Sequence, residues 1–355
     1  MKNKILLIFI ILLHSCSFDN KSGIWQNENS ITDDTNDSFK EFKKLAIISE
    51  PFNEIIKIKD NFKFEIPKLI DVKEWNDVFY SDNNNLLNFK YSDQNKQNFK
   101  SKKITKKKIR NYKLSEDNNI IFSDLKGNIF IFSLVEKKLI KKFNFYKKRF
   151  KNFEIKINFV VNDGTIYASD NIGFLYAFDY KKNKVIWAKN YKVPFRSNLK
   201  LFQDKLLVSN QNNNLFFLNK YSGDILKLIP TEETIVKNRF INNLSLNNGY
   251  IFFLNTYGSL YGVDKKNMQI KWFVNLNQSL DINPSNLFFG NQIVNNNKKI
   301  VISSNQFTFI IDAKTGRIVF KKNFSSIVKP IIIDQYFFTI SKNNFLIATN
   351  MDDGE

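Results

Sequence analysis

A search for residues able to do chemistry ends quickly in this chain. Its 355 residues contain one histidine, His14, and one cysteine, Cys16, both close to the N-terminus. Beyond residue 16 there is neither an imidazole nor a thiol. That removes Ser-His-Asp and Cys-His nucleophilic catalysis, His-based proton transfer, His/Cys metal sites and disulfides. The paired carboxylates Asp33–Asp34 and Asp352–Asp353 stand in a polar tract and in a turn, where solvated acids are commonplace. The glycines stand singly, so nothing resembles a phosphate-cradling loop. The residues supply no catalytic set, no metal ligands and no cofactor ligands.

What remains is charge and a leader. The formal charge is +20, with runs such as "KSKKITKKKIR" at 100–110 and "YKKRFK" at 146–151. Interleaved with Phe and Tyr, such runs would suit a phosphate backbone. Three features point away from nucleic acid. The start "MKNKILLIFIILLHSC" has a basic head and an apolar run of nine residues, Ile5 to Leu13, which suits an export signal and falls short of the ~20 residues needed to span a bilayer. The aromatics fall at strand spacing. Lys, Asn, Ile and Phe are over-used together, as an A/T-rich coding bias would produce. Attraction to an anionic lipid or an acidic partner surface stays open. Leu13-His14-Ser15-Cys16 resembles the bacterial lipobox, which implies cleavage after residue 15 and a lipid on Cys16; loss of Lys2 and Lys4 would leave +18 (20 − 2). Residues 16–61 are polar and read as a tether.

The elements that follow are repetitive. "GFLYAFDYKKNKVIW" at 173–187 sets a frame of Gly, then an acid six places on, a turn residue ten on and Trp fourteen on. The frame recurs from anchors at Gly127, Gly173, Asn213, Gly258, Gln306 and Asn344, spaced 38 to 48 residues apart. A second apolar run precedes each anchor and ends three residues before it, at Asp124, Asp170, Asn210, Asn255, Ser303 and Ser341. Short runs apolar on both faces and bounded by Asn, Asp and Gly are strands that neighbours must cover. The position ten past the anchor, held by Gly223, Gly316, Gly354 or Asn183, suits φ > 0. About four such strands per repeat predict an all-β fold, a β-propeller of four-stranded blades over 62–355. The segment 75–89 suggests an early strand pair. The sequence stops at Glu355, directly after a turn glycine. Either the N-terminal segment supplies the missing strand or the sequence is a fragment, and the second is favoured.

The strings "DAKTGRIVF" at 312–320, "FDYKKNKVIW" and "VDKKNMQIKW" resemble the repeat of pyrroloquinoline-quinone-type propellers. That resemblance implies eight blades in a complete protein, with six visible here. Two branches share the repeat. Quinone-dependent dehydrogenases hold the cofactor and Ca²⁺ in a central funnel, and no matching ligand set is found. The BamB-like lipoproteins of the outer-membrane β-barrel assembly machinery are non-enzymatic, and the leader and tether favour them. The resemblance then implies a periplasm-facing, lipid-anchored scaffold that meets a membrane-embedded assembly subunit and unfolded outer-membrane protein precursors. In that family an inter-blade arginine contacts the assembly subunit. "KVPFRSN" at 192–198 places Arg196 there, beside Phe195, while the next such loop, "RFINNLSL", offers Asn242 and Asn243 where the family uses acids. A lipoprotein propeller of another envelope complex remains the alternative, and a quinone-dependent dehydrogenase the remote one.

Overall fold

The computed structural model describes residues 64–72, 74–91, 97, 99–146, 150, 152–233, 241–277, 288–304, 306–326 and 328–355, with two short strands at 16–18 and 25–27. The chain divides into two units, Met1–Ile58 and Lys59–Glu355. In the first, β1 (Cys16–Phe18) pairs antiparallel with β2 (Trp25–Asn27). Cys16 opens β1, and the proposed leader 1–15 lies outside the described residues.

The second unit is a ring of sheets, each an antiparallel meander in sequence order. The first sheet comprises β3 (Ile109–Glu116), β4 (Asn119–Asp124), β5 (Asn128–Ser133) and β6 (Lys138–Asn144). The second comprises β7 (Ile157–Asn162), β8 (Thr165–Asp170), β9 (Phe174–Asp179) and β10 (Lys184–Asn190). The third comprises β11 (Lys200–Phe202), β12 (Lys205–Ser209), β13 (Leu215–Asn219) and β14 (Ile225–Ile229). The fourth comprises β15 (Asn243–Leu246), β16 (Tyr250–Leu254), β17 (Ser259–Asp264) and β18 (Ile270–Asn275). The fifth comprises β19 (Val294–Asn295), β20 (Lys299–Ser303), β21 (Thr308–Asp312) and β22 (Ile318–Lys322). A sixth has three strands, β23 (Ile331–Ile333), β24 (Tyr336–Ile340) and β25 (Leu346–Asn350). This is the β-propeller that the repeat predicts.

The two-sided apolar runs are explained by where alternate residues go. From β16, Ile251 and Phe253 enter a layer shared with the third blade, while Phe252 and Leu254 enter one shared with the fifth. The core is a series of such layers, one between each pair of successive blades. No blade buries both faces unaided.

The small polar residue before each anchor is a turn cap. Asp170 Oδ1 accepts from the N–H groups of Ile172, Gly173 and Phe174 at 2.8, 2.7 and 2.9 Å. Asn210 and Asn255 do the same for their turns. In the fifth blade the cap moves one residue, to Ser304, and Gln306 is not among the positive-φ residues.

A second repeated contact locks the rim. The outer strand bulges where it pairs with the third strand, at Val185/Trp187 and at equivalent places in the other four-stranded blades. The bulge re-aims the residue fourteen past the anchor toward the next blade. Trp187 Nε1 donates to the Lys220 carbonyl at 2.9 Å, and its ring lies so close over Gly223 that a Cβ there would meet it at 2.5 Å. Trp272 lies over Gly316 in the same way. In the first blade Lys141 Nζ replaces the indole, reaching the Tyr180 carbonyl at 2.5 Å.

Segment 75–89 is not the strand pair that its sequence suggests, and its stretch 75–85 has another role. It runs across the axis and touches the first strand of every blade in chain order. Trp75 bridges Ser115, the Val161 N–H donates to the Asn76 carbonyl, and Asp77 pairs with Lys200 at 2.9 Å. The Leu246 N–H donates to the Asp82 carbonyl, and Asn295 donates to Asn83. Asn84 Nδ2 donates to the carbonyls of Leu244 and Ile293, both at 2.9 Å, and Asn85 exchanges two bonds with Ile332. Lys329 Nζ donates to the Asn84 carbonyl.

Two outcomes follow from this axial segment. Asn84→Ala strands the buried Ile293 carbonyl and removes one of two donors from that of Leu244, which Asn198 Nδ2 still holds at 3.0 Å, and should cost about 1–3 kcal/mol, read as a lowered urea midpoint. Burial, aided by Lys200 and opposed by Asp77, lowers Lys329 to about 8. The unfolded chain, near the ordinary ~10.4, then binds more protons between the two values, so this group's contribution to stability rises with pH. Chemical denaturation from pH 7.5 to 10 should show the wild type gaining stability relative to Lys329→Met.

Candidate partner-docking site

The connection between β10 and β11 carries the residues singled out for docking, and its backbone is pinned at both ends. The Tyr191 N–H donates to the Gly173 carbonyl at 2.8 Å and the Phe195 N–H to the Asp170 carbonyl at 2.9 Å, so the second blade's capped turn holds the first half. The Arg196 N–H donates to Ser209 O at 3.0 Å, and the Gln211 N–H to Pro194 O at 2.7 Å, so the third blade holds the second half. Ser197 is buried, and its Oγ accepts from the Ser209 N–H at 2.7 Å.

The side chains divide by role. Phe195 is only 2 % exposed and meets Tyr191 and Phe216 edge-on, with ring centroids 5.4 and 6.0 Å apart. Its mass lies in the layer between blades rather than at the surface. Arg196 is half-buried, and its Nη2 donates to Gln211 Oε1 at 3.0 Å. Asn242 is fully buried and donates to Ser209 Oγ and the Asn210 carbonyl, both at 2.8 Å, so it ties the third blade to the fourth. Asn243 is buried where β15 begins. Phe195, Arg196 and Asn243 line one pocket of about 240 Å³, with Val78 and Phe79 of the axial segment, and Asn242 is not among its lining residues.

The connection between the third and fourth blades does contain acids, Glu232 and Glu233, but the first is turned to the scaffold. Glu232 Oε1 accepts from Ser259 at 2.7 Å, and Oε2 accepts from Tyr261 and Asn255 at 2.5 and 2.6 Å. Burial alone would push its carboxyl up; the bonds from Tyr261, Ser259 and Asn255 outweigh that and hold it below the usual carboxylate value. Among the described residues no group of His, Cys, Asp or Glu is gathered as a metal ion would require. No helix among them is long and apolar enough to cross a membrane.

Sequence reasoning missed Gln211, which steers Arg196, and also Arg110 and Lys156, which line the same pocket. Gln211 directly follows the capping Asn210, a position the repeat frame could have marked. Arg110 ends a lysine-rich run that reads as solvated charge, and nothing local sets it apart.

The family model of the outer membrane protein assembly factor BamB matches residues 147–355, more than half of the chain. Among solved structures, the crystal structure of BamB from Moraxella catarrhalis is similar, with a TM-score of 0.55 and 15 % identity, covering 68 % of this chain and 72 % of that one. The computationally designed protein Ika8 gives a TM-score of 0.51 at 8 % identity, covering 67 % and 70 %. At such identities both show the fold. No curated protein matches the sequence. The ring of capped four-stranded blades and the match over their repeats lead to one conclusion: this chain belongs to the family of the outer membrane protein assembly factor BamB.

Proposed function

We propose that the protein is a non-enzymatic scaffold subunit of the machinery that assembles β-barrel proteins into the outer membrane. A lipid on Cys16 holds it to the periplasmic face of that membrane, and residues 16–61 act as the tether. Its propeller docks on a membrane-embedded assembly subunit through the loop bearing Arg196, leaving other surfaces to meet unfolded precursors. Family membership over 147–355 carries this reading. The axis gives it further support. Quinone-dependent propellers keep that space for a cofactor, whereas here segment 75–85 fills it with hydrogen bonds to every blade.

Arg196 contributes a planar fork already oriented by Gln211, suited to a bidentate bond with a partner carboxylate. Phe195 contributes by packing beneath it, and Asn242 by fixing the neighbouring blade.

Tagged full-length protein recovered from detergent-solubilised membranes should bring the membrane-embedded assembly subunit with it, identified by mass spectrometry. Arg196→Glu should reduce that recovery about tenfold or more, as expected for loss of ~1.4 kcal/mol or more of binding. Recovery of no such subunit by the wild type overturns the assembly reading; equal recovery by both proteins overturns the site. Phe195→Ala should behave differently, losing about 3–5 kcal/mol of folding stability through the cavity it leaves. Its loss should be visible in the melting curve of the isolated protein.

A further inference from the structure

The pocket beside Arg196 holds a second cation whose setting the docking reading does not use. Arg110 on β3 is half-buried, donates from Nη1 to the Ile157 carbonyl at 3.0 Å and lies 5.3 Å from the centre of the Tyr112 ring. Among the described residues it makes no ion pair. Burial lowers its pKa from the usual value, with Tyr112 opposing, and an arginine keeps its charge regardless. The contrast with Lys200 is informative. That ammonium is fully buried, more deeply than Arg110, but Asp77 answers it at 2.9 Å, which leaves Asp77 committed. Lys156 stands exposed at the same mouth, and no aspartate or glutamate is among the lining residues. A partly desolvated cation without a counter-charge costs folding free energy unless something compensates it.

We propose that this pocket receives an aspartate or glutamate side chain presented by a docked partner protein, with Arg110 as the principal cation and Lys156 as the exposed attractor. The walls favour a protein-borne carboxylate over a free inorganic anion. Val78, Phe79, Phe195 and Ile241 supply apolar surface for the stem of a side chain and its neighbours. The space, about 240 Å³, is several times the ~30 Å³ that one water occupies in the liquid. The proposal rests on the reading that this face docks a partner, and it adds an acceptor for that partner's acid beyond Arg196.

The test is calorimetric titration of the full-length protein in detergent micelles with three probes: acetyl-Gly-Asp-Gly-amide, its Asn counterpart and inorganic phosphate. The aspartyl peptide should bind at least tenfold more tightly than the asparaginyl one, and its binding should weaken as salt is raised from 50 to 500 mM. Arg110→Gln should abolish the discrimination. Because Arg110 also ties the first blade to the second, Lys156→Gln serves as the second variant. It should weaken the aspartyl peptide several-fold with an unchanged melting temperature. Equal binding of the two peptides, phosphate binding as tight as the aspartyl peptide, or indifference of the titration to both variants would overturn the proposal. If the titration fails while Arg196→Glu still loses the assembly subunit, only the pocket falls. If Arg196→Glu leaves recovery intact while the titration succeeds, the Arg196 contact falls and the pocket stands.

Discussion

The first strand of each blade presents one unpaired edge toward the axis, and this free edge is the constraint from which much of the molecule follows. Unmet backbone groups in a closed interior are costly. The chain meets them with its own segment 75–85, whose backbone and short amide side chains reach β3, β7, β15, β19 and the start of β23 in turn. Asparagine suits that task because one side chain both donates and accepts, as Asn85 does with Ile332. The cost is two lysines brought to the axis against one aspartate, Asp77. Burial first, and that imbalance second, hold Lys329 well below the ordinary lysine value.

At the rim the problem is reversed, because there each blade must be fastened to the next. Trp187 and Trp272 do this by packing on the following blade's turn glycine, and Lys141 keeps the hydrogen bond without the ring. The third blade has Lys227 at this position, and exposed Ile225, Leu226 and Leu228 line its outer strand. Its fastening to the fourth blade lies elsewhere. Glu232 gathers Asn255, Ser259 and Tyr261, and Asn242 reaches back to Ser209 and Asn210. Polar ties stand in where the aromatic lock is missing.

The blades were legible because periodicity carries them. Caps such as Asp170 and Asn210, turn positions such as Gly223 and Gly316, and the bulged Trp187 each recur at one offset, and a repeated offset survives a biased composition. Segment 75–85 has no such period. Its Asn, Asp and Ser residues act one at a time on partners up to about 250 residues away, as Asn85 does on Ile332, and in an Asn-rich chain they look like any loop. The burial of Phe195 was not legible for a related reason. Beside an arginine in a loop it reads as surface, and only Tyr191 and Phe216, brought together by folding, show that it is core. Arg110 was hidden because sequence shows charge without showing burial.

These features bear on why such a ring can serve as a scaffold. Binding costs least when the contacting groups are already ordered. The loop 191–198 is clipped to two capped turns, Phe195 is locked beneath it, and Gln211 aims the guanidinium of Arg196. With the axis filled, the mouth becomes a shallow basin floored by Val78 and Phe79 instead of a funnel. Cations from separate parts of the ring, Arg110 from β3 and Arg196 from the loop before β11, therefore line one pocket. On the proposed reading, a partner's acids would be met by groups that each blade has fixed independently, so recognition would draw on the rigidity that the repeat provides rather than on any loop folding anew.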